Sequence, residues 1–135
     1  MTRFIVLIAI LSLAFAGCNS AKTHAVNGTV KFKDGADGSA LVGYRVDFES
    51  VEQKVSGSGE VQADGTFKIS TYGDNDGAVP GKHRVAITPP IPEPDAVPPK
   101  PLIAKKYNSL ETSGLEAEVK SGSNEVVLEV EGTKR

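Results

Sequence analysis

From residue 26 onward, hydrophobic and polar side chains alternate along the chain in seven short segments. A period of two places successive side chains on opposite faces of a strand, so each segment is predicted to be a strand with one buried face. The side chains predicted to face inward are Val26, Val30 and Phe32; Tyr44, Val46 and Phe48; Val55 and Val61; Phe67 and Ile69; Val85 and Ile87; Leu115, Ala117 and Val119; and Val126, Leu128 and Val130. The pattern predicts an all-β fold, an antiparallel β-sandwich of about seven strands.

Turn-forming residues separate these segments. Residues 63–66 (Ala-Asp-Gly-Thr) lie between the third and fourth segments. Asp-Gly is a strong hairpin signal, because glycine adopts positive φ without steric cost. Residues 121–124 (Ser-Gly-Ser-Asn) lie between the last two segments, which are therefore predicted to pair as a hairpin.

The first 18 residues have the features of an export signal. Arg3 provides a positive start, residues 4–15 are almost entirely apolar, and Ala16 and Gly17 precede Cys18, the single cysteine of the chain. The apolar run is shorter than the ~20 residues that cross a bilayer as a helix, which favours a cleaved signal over a retained span. The segment resembles a bacterial lipoprotein signal peptide, which is cut before a cysteine that carries lipid.

This resemblance implies a signal peptide over residues 1–17, a lipidated tether over residues 18–24 and a β-sandwich domain over residues 25–135. It also implies an exported protein that is anchored to a bacterial cell membrane by lipid on Cys18, facing the periplasm or the cell surface. The alternative is an ordinary secretory signal that ends near Ala16. That signal would leave Cys18 as an unpaired thiol in an exported protein, which is an unusual arrangement.

The charge of the chain argues against a nucleic-acid partner. Seventeen acidic and fifteen basic side chains give a formal net charge of −2. The basic residues are scattered, whereas proteins that bind nucleic acids carry concentrated basic patches. The chain also has no tryptophan, so few rings are available for stacking on bases or sugars.

Several short motifs occur in an order that resembles a known family. Residues 26–30 (Val-Asn-Gly-Thr-Val) and 63–67 (Ala-Asp-Gly-Thr-Phe) are followed by residues 80–85 (Pro-Gly-Lys-His-Arg-Val) and 104–108 (Ala-Lys-Lys-Tyr-Asn). This order resembles the small bacterial lipoproteins with transthyretin-like, or carboxypeptidase-regulatory-like, domains. The resemblance implies a prealbumin-like sandwich without enzymatic activity or a cofactor. The related hydroxyisourate hydrolases end in Tyr-Arg-Gly-Ser, whereas this chain ends in Glu-Gly-Thr-Lys-Arg.

Other candidate chemistry is confined to two histidines and one acidic loop. His24 falls in the tether, and His83 is predicted on the inward side of the fifth strand, at the sheet rim, with a hydrogen bond to a loop. Two separated histidines do not make a four-ligand zinc site. Asp74, Asn75 and Asp76 offer oxygen ligands for calcium. No glutamate follows at the EF-hand spacing, however, and the same residue types favour an ordinary tight loop.

Residues 89–101 contain seven of the eight prolines. Proline lacks an amide donor, so this segment is predicted to stay outside the strand ladders and to adopt polyproline II conformation. Two roles remain open for it. It is either a stiff connection laid over one end of the sandwich or a recognition element presented to a partner protein.

Two classes of function follow. The first is a lipid-anchored envelope or cell-surface module that binds an envelope protein or a polysaccharide and catalyses no reaction. The second is an ion-dependent binding protein, or a hydrolase, with a site around His83 and the loop that contains Asp74 and Asp76. The scarcity of histidine and the assignment of the single cysteine to lipid favour the first class.

Overall fold

The computed structural model describes residues 22–133, which form seven strands in two sheets. The strands are β1 (Val26–Phe32), β2 (Arg45–Ser50), β3 (Ser56–Glu60), β4 (Thr66–Lys68), β5 (Gly81–Thr88), β6 (Leu115–Val119) and β7 (Asn124–Val130). One sheet has the order β4-β1-β7 and the other has the order β3-β2-β5-β6. Within the described residues the helices are two four-residue 3-10 turns, Gly38–Leu41 and Lys105–Asn108. The predicted all-β fold with seven strands is confirmed.

The hydrophobic core lies between the two sheets. Every side chain that the alternation predicted to face inward is buried or half-buried. Phe48 of one sheet and Phe67 of the other meet edge to face, with ring centroids 6.2 Å apart. Because the buried cluster takes side chains from both sheets, the two sheets form a sandwich-like arrangement around one core.

The prediction of an entirely antiparallel fold is wrong for one pair of strands. β7 pairs with β1 in parallel, in a register that runs from Val26 opposite Asn124 to Phe32 opposite Val130. The predicted hairpin between β6 and β7 is also wrong, because the two are edge strands of different sheets. Residues 121–123 therefore form an arch that carries the chain from one sheet to the other.

The side chain of Asn124 explains this arch. Its amide nitrogen donates hydrogen bonds to the carbonyl oxygens of Lys120 (2.9 Å) and Ala25 (3.2 Å), and its oxygen accepts one from the Lys120 N–H (2.8 Å). These bonds close the arch and attach it to the residue before β1. The first residues of β1 and β7 therefore lie side by side, and the two strands run in the same direction.

The turn at residues 63–66 forms, but it also connects the two sheets. Gly65 has a φ of +80°, and the Gln62 N–H donates to the Thr66 carbonyl at 2.7 Å. β3 and β4 nevertheless belong to different sheets, linked by an isolated bridge between Ser58 and Ser70. The local turn signal therefore predicted the turn correctly, but it did not determine whether the two flanking strands pair with each other.

The parallel pair gives the sandwich two distinct ends. β1 and β7 both begin at one end, where His24 pairs with Ala78 through backbone bonds of 2.9 and 3.0 Å. We call this the anchor end, because the chain enters the domain there. His24, the last residue of the predicted tether, contacts the domain through these bonds. Both strands finish at the opposite end, which we call the far end.

Candidate functional site

The proline-rich segment, residues 89–101, projects from the sandwich as an exposed arm. Every residue from 89 to 102 is exposed, so the segment does not lie packed over the domain. Ile91 and Val97 are 96% and 90% exposed. A turn in the middle of the arm is closed by the Ala96 N–H, which donates to the Glu93 carbonyl at 3.0 Å. We call residues 89–101 the proline arm.

Both ends of the proline arm are fixed to the far end of the sandwich. The arm begins directly after Thr88, the last residue of β5, which pairs with Arg45 of β2. At its other end, the Thr133 hydroxyl donates to the Pro101 carbonyl (2.7 Å) and the Thr133 N–H donates to the Leu102 carbonyl (3.0 Å). Since Thr133 follows β7, the arm leaves the domain at the end opposite His24.

A small ion-pair cluster lies beside this base. The Glu131 carboxylate bonds to the ammonium groups of Lys33 (2.7 Å) and Lys106 (3.0 Å). The hydrogen bonds from Lys33 and Lys106, together with their charges, lower the pKa of the Glu131 carboxyl to about 2. All three side chains are exposed to water, which limits what such pairs contribute to stability. The cluster joins the 3-10 turn Lys105–Asn108 to the residues that follow β1 and β7.

His83 is buried near the beginning of β5, opposite Ser50, the last residue of β2. It faces inward, as predicted, but it is only 1% exposed. Its ring stacks at a tilt on Phe48, with centroids 5.7 Å apart, and its Nδ1 lies 3.1 Å from the Gly81 carbonyl oxygen. Burial lowers the pKa of the His83 imidazole, against a smaller upward effect of the Gly81 hydrogen bond. The buried ring packs against Phe48 and fills space between the sheets.

This burial predicts that acid destabilises the domain through His83. In the unfolded chain the imidazole regains an ordinary pKa of about 6.5, whereas its pKa in the folded domain is lower. Just below pH 6.5 the unfolded chain therefore binds more protons, and the free energy of unfolding should fall as the pH drops from about 7 to 5. Denaturant melts across this range measure the slope. His83→Gln should flatten it, and equal slopes in both proteins would contradict the prediction.

The acidic loop uses its carboxylate to hold its own backbone. One oxygen of Asp76 accepts the Thr71 N–H at 2.7 Å, and the other accepts the N–H groups of Tyr72 and Gly73, each at 3.1 Å. Partial burial alone would raise the pKa of the Asp76 carboxyl. The hydrogen bonds from these N–H donors lower the pKa by more, so the net pKa is below its ordinary value. Carboxylate oxygens that already accept N–H groups have fewer lone pairs free to bind a cation. The Asp76 side chain therefore stabilises the backbone of its own loop.

The remaining candidate ligands do not gather around Asp76. Asn75, with a φ of +53°, takes the left-handed conformation of a turn residue, and its N–H donates to the Ser70 hydroxyl at 2.8 Å. Asp74 is exposed beside it. Between residues 22 and 133, no group of three or more His, Cys, Asp or Glu side chains is placed to hold a metal ion.

A groove of about 570 Å³ that the sequence analysis missed lies beside the outer edges of β6 and β7. Leu115 and Glu116 of β6 line one side, Val127 and Glu129 of β7 line the other, and Tyr107 contributes to the lining. The predicted β6–β7 hairpin would have joined these edges and left no groove. The available signal was Val127, an apolar residue at an outward position of an alternating strand, which is 58% exposed.

Cys18 lies outside the described residues, so the lipid anchor remains a prediction from the sequence. Over residues 22–133, the structure contains no helix with the length and apolar character needed to cross a membrane. No protein-family model, curated protein or solved structure matches the chain.

Proposed function

We propose that this chain is a lipid-anchored module of the bacterial envelope that binds an envelope protein or a polysaccharide through its proline arm. In this proposal Cys18 carries the lipid, the domain is of the transthyretin-like kind that its motifs resemble, and it catalyses no reaction. The observation that carries the proposal is the position of the arm. It is fully exposed and leaves the far end of the sandwich, opposite the end where the chain enters from Cys18.

In this proposal the base of the arm lies on the side of the domain that faces away from the membrane. His24 lies six residues after Cys18, and at about 3.5 Å per residue this distance is no more than ~21 Å. The anchor end therefore stays close to the lipid surface. The seven residues of β1, at ~3.3 Å each, then place the base of the arm about 20 Å further out. A partner in the envelope would meet the arm before it met the rest of the domain.

The chemistry of the proline arm suits it to binding. Ile91 and Val97 expose apolar side chains that gain about 25 cal/mol for each Å² of surface they bury on a partner. Seven prolines fix φ along the arm and restrict its backbone in the free protein. Less conformational entropy is therefore lost when a partner fixes it than when a flexible loop becomes ordered.

Removing the arm should abolish partner capture and leave the domain folded. The variant joins Thr88 to Leu102 through a short Gly/Ser link. Because every residue of the arm is exposed, no core contact is lost, and shortening the loop should change the free energy of unfolding by about 1 kcal/mol or less. Denaturant melts measure stability, and chemical crosslinking in native membranes measures capture. Unfolding of the shortened chain would contradict the description of the arm, and undiminished capture would leave the arm a simple connector.

A matched pair of probes locates the contact on the full chain. A photo-crosslinking residue at position 91 lies on the arm, and one at position 72 replaces Tyr72, which is 54% exposed on the loop near the anchor end. We expect a specific adduct from position 91 and none from position 72. The reverse pattern would move the binding surface to the membrane side of the domain.

A further inference from the structure

β7 leaves one side of its backbone without a neighbouring strand. It is the last strand of its sheet, and its single hydrogen-bonded neighbour in the described residues is β1. The Asn124 N–H donates to Ala25 and the Val130 carbonyl accepts from Lys33, each at 2.9 Å, so these residues direct their backbone groups toward β1. Backbone groups alternate in direction along a strand. Those of Glu125, Val127 and Glu129 therefore point outward.

The outward groups are capped only where β7 ends. The Glu131 N–H donates to the Tyr107 hydroxyl at 3.0 Å, and the Glu131 carbonyl accepts from the Ala104 N–H at 3.0 Å. Within residues 22–133, the backbone groups of Glu125, Val127 and Glu129 face no strand. Three alternate positions with free donors and acceptors are a template for the addition of another strand.

The groove beside β7 provides the space that such a strand needs. Val127 and Glu129 form one wall, Leu115 and Glu116 of β6 form the other, and the volume is about 570 Å³. A strand lies ≈ 4.8 Å from its neighbour in the hydrogen-bonding direction. A segment paired with β7 would therefore lie in this groove, with alternate side chains on the same face as Val127.

The charges around this edge oppose pairing with a second copy. The outer face of β7 carries exposed Glu125 and Glu129 on either side of Val127, and β6 exposes Glu116 and Glu118. If two copies paired antiparallel about Val127, Glu125 of each copy would lie opposite Glu129 of the other. Like charges directly opposite each other destabilise a strand pair. At the far end of the groove, Lys33 and Lys106 are already paired with Glu131.

We propose that the outer edge of β7 binds an extended, basic segment of another protein by antiparallel strand addition. The segment carries Lys or Arg two positions before and two positions after a β-branched residue. In register, the two cations lie opposite Glu125 and Glu129, and the β-branched side chain covers Val127. This site goes beyond the proposed function and is separate from the proline arm.

A peptide with this pattern tests the proposal on the full chain in nonionic detergent. The probe is acetyl-Thr-Lys-Thr-Val-Thr-Lys-Thr-amide, and the control has Glu in place of both Lys. We expect the Lys peptide to bind, to weaken as salt is raised, and to slow hydrogen exchange at the amides of Glu125, Val127 and Glu129. The Glu peptide should not bind. Failure of the Lys peptide to protect these amides would overturn the proposal.

Methylation of the peptide backbone separates strand pairing from simple charge attraction. N-methylation at the two Lys and the Val removes the donors that face β7, and binding should be lost. N-methylation at the intervening Thr residues removes donors that face away, and binding should be retained. Equal binding of both methylated peptides would show attraction without strand addition, and would refute the proposed site.

Protein variants provide the complementary test. Val127→Pro removes an outward amide that the ladder with β1 does not use, and proline is tolerated at such edge positions. It should weaken the Lys peptide by about tenfold or more. The double variant Glu125→Lys, Glu129→Lys should bind the Glu peptide more tightly than the Lys peptide. This reversal tests the proposal even if the proline variant does not fold. Two results would overturn the proposal by showing that the edge is covered by this chain itself. One is slow hydrogen exchange at the outward β7 amides without peptide, and the other is a dimer that Val127→Pro abolishes.

Discussion

Replacing Phe67 by alanine should lower the free energy of unfolding by about 3–5 kcal/mol. Phe67 is almost completely buried, and its ring joins the two sheets through edge-to-face contact with Phe48. A small domain is held together by only ~5–15 kcal/mol in total, so this one substitution removes a large part of its stability. Denaturant melts measure the loss. Lys68→Ala, at the exposed neighbouring position of β4, is the control and should change stability by about 0.5 kcal/mol or less.

The same ring explains why β1 contains a glycine at position 28. Gly28 lies opposite Phe67 in the β1–β4 pair, and a Cβ built there would be 1.9 Å from the Phe67 Cζ. Gly28→Ala alone should therefore be destabilising through overpacking, by about 1–3 kcal/mol. In the Phe67→Ala background the ring is gone, and the added methyl should be tolerated. A double-mutant cycle measures this coupling. Strictly additive effects would show that the ring does not cover Gly28.

The strands and the core could be predicted from the sequence because both depend on local alternation. Val46 and Phe48 are inward on β2 whatever strand lies beside it, since the period of the backbone determines the face. The same reasoning placed His83 on the inward side. The almost complete burial of His83 could not be predicted in this way, because parity gives the direction of a side chain and not its exposure. That exposure depends on Phe48 and on the strands on both sides of β5.

The pairing of the strands could not be predicted in the same way. Residues 121–124 have the composition of a hairpin turn, and composition alone cannot reveal that Asn124 bonds to Ala25, 99 residues earlier in the chain. That long-range bond makes the turn an arch and β7 the parallel neighbour of β1. A contact between the two ends of the domain depends on how all the intervening strands stack, which no local pattern records.

For the candidate sites, too, local features could be predicted from the sequence and long-range contacts could not. The proline arm was identifiable from composition, because proline excludes a segment from the ladders wherever it occurs. Whether the arm is packed or projecting depends on where Thr133 holds its base. Asp76 was a candidate calcium ligand because a carboxylate can either bind a cation or accept hydrogen bonds from the backbone of a turn. The structure shows it bonded to the N–H groups of Thr71, Tyr72 and Gly73.

Replacing Cys18 by alanine should abolish lipid attachment and the cleavage that depends on it. In the lipoprotein reading of residues 1–18, lipid is transferred to the cysteine thiol before the signal is cut, so a chain without the thiol is neither acylated nor cleaved. We expect an uncleaved precursor that takes up no labelled fatty acid. Gel mobility and incorporation of an alkyne-tagged palmitate analogue measure both steps. Asn19→Ala, one position later, retains the thiol and should be processed like the original chain.

The fate of the variant also distinguishes the lipoprotein signal from an ordinary secretory one. An ordinary signal ending near Ala16 does not need the thiol, so Cys18→Ala would then be cleaved normally and released as a soluble domain. That result would refute the anchor and, with it, the orientation that points the proline arm away from a membrane. Partner capture gives an independent readout. A single acyl chain gives only marginal membrane binding, whereas two chains hold a protein stably. With an ordinary secretory signal both the original chain and Cys18→Ala are released, so arm-dependent capture at the membrane should be equally low for both.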